Sequence, residues 1–200
     1  SSGGVTLLQI LSMLETFDMA GAGAGSIEAL HLIFETSRLA YADRNEYLAD
    51  NEQLSDDSLS PEAVIAGLLN PAYLKARAGL IDKTKAAEKV EAGDPSAFTL
   101  EEGAGQWKRY GADASPEPST THFVIVDGDG NVVSMTTTVE FAFGSHLMAA
   151  GMVLNNQLTD FSFLPVRDGK PVANAVAPGK RPRSSMTPAI VFDENGAVWA

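Results

Sequence analysis

The sequence predicts an α+β chain, with helices mainly in residues 1–80 and strands mainly in 120–200. Two observations carry this. Apolar residues recur at helical spacing through the first 80 residues, behind recognisable helix starts. After Thr120 the pattern changes to β-branched runs divided by Gly, Asn and Asp turns.

The helices come first. Residues 5–17 place Leu7, Leu11 and Leu14 on one face, with Leu8 and Ile10 beside it. Residues 21–25 read as a loop. Ser26 suits an N-cap and Glu28 the first turn of a second helix. Leu30, Ile33, Phe34, Ser37 and Tyr41 keep helical spacing into Tyr41–Ala42–Asp43–Arg44. Ser60–Pro61–Glu62 starts another helix with Pro at the first position, where its missing N–H costs nothing, and Asn70–Pro71 repeats the device for 71–79. Residues 82–118, rich in Lys, Glu, Ala, Gly, Ser and Pro, read as a mobile approach to Thr120.

The strands follow. Residues 121–127 and 132–139 are β-branched runs joined by Gly128–Asp129–Gly130–Asn131, a hairpin signal. Val153–Leu154 reads as a short strand. Residues 189–192 and 197–200 flank a turn at Glu194–Asn195–Gly196.

Composition narrows the chemistry. The 200 residues contain no Cys, which excludes thiol nucleophiles, disulfides and thiolate metal sites. The three His, at 31, 122 and 146, lack metal-ligand spacing, and no metal or cofactor is expected. Residues 1–119 hold 9 Lys and Arg against 19 Asp and Glu; residues 120–200 hold 5 against 7. A net charge of −12 without basic stripes argues against nucleic acid and anionic membrane surfaces as partners. No run approaches the roughly 20 apolar residues that span a bilayer. The opening Ser1–Ser2–Gly3–Gly4, without Met or a basic region, reads as an internal piece of a longer protein.

Hydroxyl groups are the candidate nucleophiles. Thr120 stands at the head of a strand, and Thr136–Thr137–Thr138 lies on the return strand, with Thr136 and Thr138 on one face. A threonine at a new N-terminus carries its own base, an α-amino group of ordinary pKa about 7.7–8.0. Thr120 can create that terminus by attacking the Ser119 carbonyl and passing the chain to an ester that water opens. The plainer alternative is that these are ordinary strand threonines. Asn156, Gln157 and Asp160 offer acceptors for an ammonium group, or simply cap a turn. The basic loop from Lys180 to Pro188 contains Ser184–Ser185, a hydroxyl pair able to hold a carboxylate, or a solvated connection.

Together these motifs resemble the gamma-glutamyltranspeptidase family of the N-terminal-nucleophile hydrolases, over nearly the whole chain. The resemblance rests on Ser1–Ser2–Gly3–Gly4 with Gln9–Ile10–Leu11 and on Tyr41–Ala42–Asp43–Arg44–Asn45–Glu46–Tyr47–Leu48. It continues in Thr120–Thr121–His122, Asp127–Gly128–Asp129–Gly130–Asn131, Leu154–Asn155–Asn156–Gln157 with Asp160–Phe161–Ser162, and Arg181–Pro182 with Ser184–Ser185–Met186.

The resemblance implies part of an αββα sandwich, incomplete at both ends. Cleavage between Ser119 and Thr120 would leave 1–119 as the end of a large subunit, closing in the mobile linker 82–119. Residues 120–200 would begin a small catalytic subunit, and the two would pair as a heterodimer. Thr120 would be the nucleophile, taking the γ-glutamyl group of glutathione or a related amide to water or an amine, with Thr138 supporting it. Gln157 and Asp160 would hold the substrate's α-ammonium, and Ser184 and Ser185 its α-carboxylate. The resemblance is compatible with a periplasmic or secreted parent, though the chain itself decides no compartment.

Glu140 departs from the family pattern, standing where many members have Asn near the ammonium. It strengthens amine binding or shifts preference toward another acyl group, such as a glutaryl or poly-glutamate donor. The family's oxyanion donors and carboxylate-binding Arg fall beyond Ala200 and before Ser1. The chain alone is therefore expected to be inactive, since one lost oxyanion donor costs roughly 10²–10³ in turnover. A non-catalytic binding member of the same fold is the alternative from another class.

Overall fold

The structure, a computed structural model, describes residues 2–50, 60–98 and 120–199. Five helices come first: α1 (Gly3–Leu14), α2 (Met19–Ala22), α3 (Ile27–Tyr47), α4 (Pro61–Leu68) and α5 (Pro71–Ala78). A 3₁₀ turn at Pro95–Phe98 follows. Beyond it lie three antiparallel hairpins: β1 (Thr121–Val126) with β2 (Val132–Thr137), β3 (Met148–Ala149) with β4 (Met152–Val153), and β5 (Val166–Arg167) with β6 (Lys170–Pro171). The α+β class and its division along the chain agree with the sequence. In the described residues the strands form three separate two-stranded sheets rather than one layer.

Three helix starts are those the sequence encodes, whereas α1 runs Gly3–Leu14 in place of the expected 5–17 and has no side-chain cap at Ser2. Ser26 Oγ accepts the Ala29 N–H at 3.0 Å, Ser60 Oγ the Ala63 N–H at 3.2 Å, and Asn70 Oδ1 the Ala72 N–H at 2.9 Å. Each such cap contributes about 1 kcal/mol by satisfying an orphan helix donor. The loop expected over 21–25 is shorter, because the Asp18 carboxylate accepts the Gly21 N–H at 2.8 Å and starts the one-turn α2.

The core is helical. Met13 of α1, Leu39, Ala40 and Tyr47 of α3, Leu48, Leu68, and Tyr73, Leu74 and Ala78 of α5 form one buried cluster. Asp43 sits at its centre, fully buried. One carboxylate oxygen accepts from Tyr73 Oη at 2.8 Å and Gln9 Nε2 at 3.1 Å. The other accepts from the Gly93 N–H at 2.8 Å and from Arg77 at 3.0 Å. Burial pushes this carboxyl above its usual range, while Arg77 and the surrounding donors pull the other way.

The same network fastens the segment expected to be loose. Arg77 also donates to the Glu91 carbonyl at 3.0 Å, Tyr47 Oη to the Gly93 carbonyl at 2.7 Å, and Asn70 Nδ2 to the Phe98 carbonyl at 2.9 Å. Its described part, up to residue 98, is thus held to α3 and α5 although it lacks regular structure before the 3₁₀ turn. The remainder, including Ser119, lies outside the described residues.

Two strand expectations change. The pair 189–192 and 197–200 reduces to a single bridge, Phe192 with Val198, around a turn in which the Asp193 carboxylate accepts the Asn195 and Ala197 N–H groups. The β5–β6 hairpin was not foreseen. Its turn, Asp168–Gly169, has φ of +52° and +74°, the left-handed pair that a two-residue hairpin needs.

Candidate active site

The β1–β2 hairpin carries the candidate nucleophile. At its turn Asp127 Oδ1 accepts the Asp129 and Asn131 N–H groups, each at 2.9 Å, and Asn131 Nδ2 donates to Oδ2 at 2.7 Å. Hydrogen bonds from Asn131 hold that carboxyl below its usual range. The turn fixes the register: Thr121 faces Thr137 and His122 faces Thr136. The pairing ends at Thr121 and Thr137; continued one step past the strand ends, the same register would set Thr120 opposite Thr138. Directly opposed residues share a face of the sheet, so His122, Ser134 and Thr136 line one side, which Thr120 and Thr138 would continue. On this side of β2, Ser134 and Thr136 are half-buried, whereas β1 is exposed along its length. His122 Nδ1 lies 2.8 Å from Thr136 Oγ1.

Beyond Thr138 the chain turns sharply. Thr138 Oγ1 accepts the Glu140 N–H at 2.8 Å, and Glu140 takes a left-handed φ of +78° that a residue with a side chain rarely adopts. The turn drives the Glu140 side chain inward, leaving the residue 4% exposed. Two bonds hold the next segment alongside: Phe141 N–H to Asn156 Oδ1 at 3.0 Å and Asn156 N–H to the Val139 carbonyl at 3.3 Å. Gln157 and Asp160, in a 3₁₀ turn, thereby meet Glu140. Gln157 Nε2 donates to Glu140 Oε2 at 3.2 Å and also to Asp160 Oδ2. Burial, reinforced by the Asp160 carboxylate, pushes Glu140 up to about 7. The structure brings Glu140, Gln157 and Asp160 into one cluster, as a site for an ammonium group requires.

Ser184 and Ser185 sit where the basic loop meets the helices. Arg44 near the end of α3 donates from Nη2 to Ser185 Oγ at 2.6 Å and from Nε to Ser2 Oγ at 2.9 Å. Ser2 Oγ donates to the Ser184 carbonyl at 2.9 Å, and Ser184 Oγ accepts the Met186 N–H at 3.1 Å. Arg183 Nη1 donates to the Arg44 and Leu48 carbonyls at 3.1 and 3.3 Å, which places a cation against carbonyls at the end of α3. Gly3 explains the close approach of α1: a Cβ there would fall 2.7 Å from the Ser185 carbonyl oxygen. Since Ser185 Oγ accepts from Arg44, its own proton remains available to a carboxylate.

One residue that sequence reasoning passed over joins the two groups. Asn174, with no exposed surface, donates from Nδ2 to the Asp160 carbonyl at 2.6 Å and accepts the Arg183 N–H on Oδ1 at 3.1 Å. Its signal was faint: a polar residue between alanines, just before a Pro–Gly turn. Arg44 lay within a quoted motif without a role. A cleft of about 320 Å³ nearby is lined by residues including Ser2, Tyr47, Asp50, Arg181 and Arg183, but by none of Thr120, Glu140, Gln157, Asp160 or Ser184. Among the described residues no group of three or more His, Asp or Glu is placed to hold a metal. No described helix is long and apolar enough to cross a membrane.

Helices followed by hairpins define an α+β frame in which the buried amide of Asn174 ties the Asp160 segment to the loop that bears Ser184 and Ser185. The family model for gamma-glutamyltranspeptidase matches residues 1–200, and the chain belongs to that family. It is 41% identical to a glutathione hydrolase proenzyme of Bacillus subtilis subsp. natto, over 99% of this chain and 32% of the relative. It is 34% identical to an acylase ACY 1 proenzyme of a Pseudomonas species, over 100% of this chain and 31% of the relative. A crystal structure of Helicobacter pylori gamma-glutamyltranspeptidase aligns at 32% identity and a TM-score of 0.41, covering 52% of this chain and 28% of the other. The chain spans about a third of the length of the curated relatives it matches.

Proposed function

We propose that the protein containing this chain is a self-processing γ-glutamyl transferase and hydrolase built on the N-terminal-nucleophile sandwich. Thr120 Oγ attacks the Ser119 carbonyl, the peptide becomes an ester on Thr120, and water releases a free Thr120 amine. Residues 1–119 and 120–200 then belong to a large and a small subunit. In each turnover the amine takes the Thr120 hydroxyl proton while Oγ attacks the γ-carbonyl of glutathione or a related amide. The departing amine receives that proton, and water or an acceptor amine opens the γ-glutamyl ester. Thr138 supports the nucleophile across the hairpin. Glu140, Gln157 and Asp160 take the α-ammonium, while Ser184 and Ser185 take the α-carboxylate.

The observation that carries this reading is the run from Thr120, opposite Thr138 if the register continues, through the Thr138–Glu140 bond to the Gln157–Asp160 cluster. Thr120→Ala in the full-length protein tests it. The variant is expected to remain one chain and to release no aromatic amine from a γ-glutamyl anilide. Processing and release that both survive would refute it.

Glu140 also favours a second reading. A carboxyl pushed up to about 7 is neutral in half the molecules at that pH, and a neutral group tolerates an acyl chain that lacks the ammonium. The acylase relative fits that alternative. Faster hydrolysis of glutaryl than of γ-glutamyl amides would select it. A full-length protein that never splits before Thr120 would instead favour a non-catalytic binding role.

A further inference from the structure

Asn174 reaches two segments that are distant in sequence with its one side chain. The amide nitrogen holds the carbonyl of Asp160, and the amide oxygen holds the N–H of Arg183, the residue before Ser184. Its own backbone carbonyl accepts the Ser162 N–H at 2.9 Å, and Ala175 bridges to Ser162, so the Asn174 backbone is fixed to the segment that follows Asp160. Arg183 is anchored in turn on the end of α3. Both polar ends of a fully buried amide are thus satisfied, and neither partner can move without stranding a buried group.

We propose that Asn174 is a positioning residue that sets the distance between the ammonium-binding and carboxylate-binding halves of the donor site. The inference rests on the reading of that site given above. An amino acid presents its ammonium and carboxylate on one carbon, so both halves act together only if their separation is held. Asn174 touches no substrate; it acts through Asp160 and Ser184. Without it, a donor bearing one of the two groups still finds its half-site, whereas a donor bearing both no longer gains from binding them at once.

The test uses the full-length processed protein and three anilides: γ-glutamyl, glutaryl (no ammonium) and 4-aminobutyryl (no carboxylate). For Asn174→Ala, kcat/KM for the γ-glutamyl donor is expected to fall on the order of tenfold to a hundredfold, through KM, as misplacement of about 1 Å can do. The two single-group donors should change by less than about threefold. Asn174→Asp supplies a second measurement should the Ala variant fold poorly. It keeps an acceptor for the Arg183 N–H but sets a carboxylate oxygen against the Asp160 carbonyl. Losses should then appear for the γ-glutamyl and 4-aminobutyryl donors and spare the glutaryl one. Equal losses on all three donors, in either variant, overturn the proposal while leaving the site reading intact. A wild-type protein that cleaves glutaryl and 4-aminobutyryl anilides as well as the γ-glutamyl one overturns the reading of the site and the proposal with it.

Discussion

The carboxyl groups of Glu140 and Asp160 meet on a single donor, the side-chain amide of Gln157. No ion pair joins either carboxyl to a cation among the described residues, and Glu140 is almost fully buried. Burial first, and the like charge of Asp160 second, make Glu140 retain its proton up to about 7.

A pH dependence of donor binding follows. An ammonium group favours the doubly ionised pair, so binding expels the proton that Glu140 holds below about 7. KM for a γ-glutamyl donor should therefore fall as pH rises from about 6 to 8, and Glu140→Gln should flatten that slope. The stability effect has the opposite sign. A carboxyl whose folded pKa exceeds its ordinary 4.5 contributes stability below 4.5 and loses it as pH rises through about 7. Relative to wild type, Glu140→Gln should be more stable at the upper end of this window than at the lower. A KM slope unchanged in the Gln variant would show that the titrating group lies elsewhere.

Asp43 should matter through the fold. It faces the buried Arg77, with side-chain exposures of 1% and 6%, and holds Gln9, Tyr73 and Gly93 as well. Asp43→Ala strands a buried guanidinium and releases the segment around Gly93. The expected loss is about 3–5 kcal/mol, as for other broken buried pairs. Denaturant unfolding of the full-length protein measures it; a loss below about 1 kcal/mol would mean that Arg77 finds another partner.

The sequence made the helices legible because their starts are local. Ser26, Ser60 and Asn70 declare themselves within three residues of the N–H groups they cap. The β1–β2 hairpin was legible because its turn carries its own side-chain bonds. The same local logic was available at Asp168–Gly169 and was missed between weakly patterned strands. Thr120, Thr138, Glu140, Gln157, Asp160, Ser184 and Ser185 were all named from sequence, but chiefly through a family resemblance; spacing alone did not join them. What joins the Asp160 segment to the Ser184–Ser185 loop, and that loop to α3, is non-local. Asn174 bonds partners 14 and 9 residues away, and Arg44 bonds Ser185 across 141 residues. Nothing local to Gly3 encodes the Ser185 carbonyl that lies against it. No periodicity encodes such pairings, because each depends on how separate elements pack.

Thr138 offers a discriminating last case, because its hydroxyl has two possible duties. One is toward Thr120 across the hairpin; the other is the bond it accepts from the Glu140 N–H. That bond holds Glu140 at φ +78°, a conformation that costs on the order of 1–3 kcal/mol unless its surroundings enforce it. Thr138→Val keeps the shape and removes the acceptor, so the turn should relax and withdraw the Glu140 carboxyl from Gln157. KM for the γ-glutamyl donor should rise, and its pH slope near 7 should flatten as in Glu140→Gln, while Thr138→Ser preserves both. If the hydroxyl serves Thr120 alone, Val instead lowers kcat and processing and leaves the pH dependence of KM intact. Steady-state kinetics of the two variants across the neutral range separates these duties, since only the turn-holding role reaches the ammonium subsite.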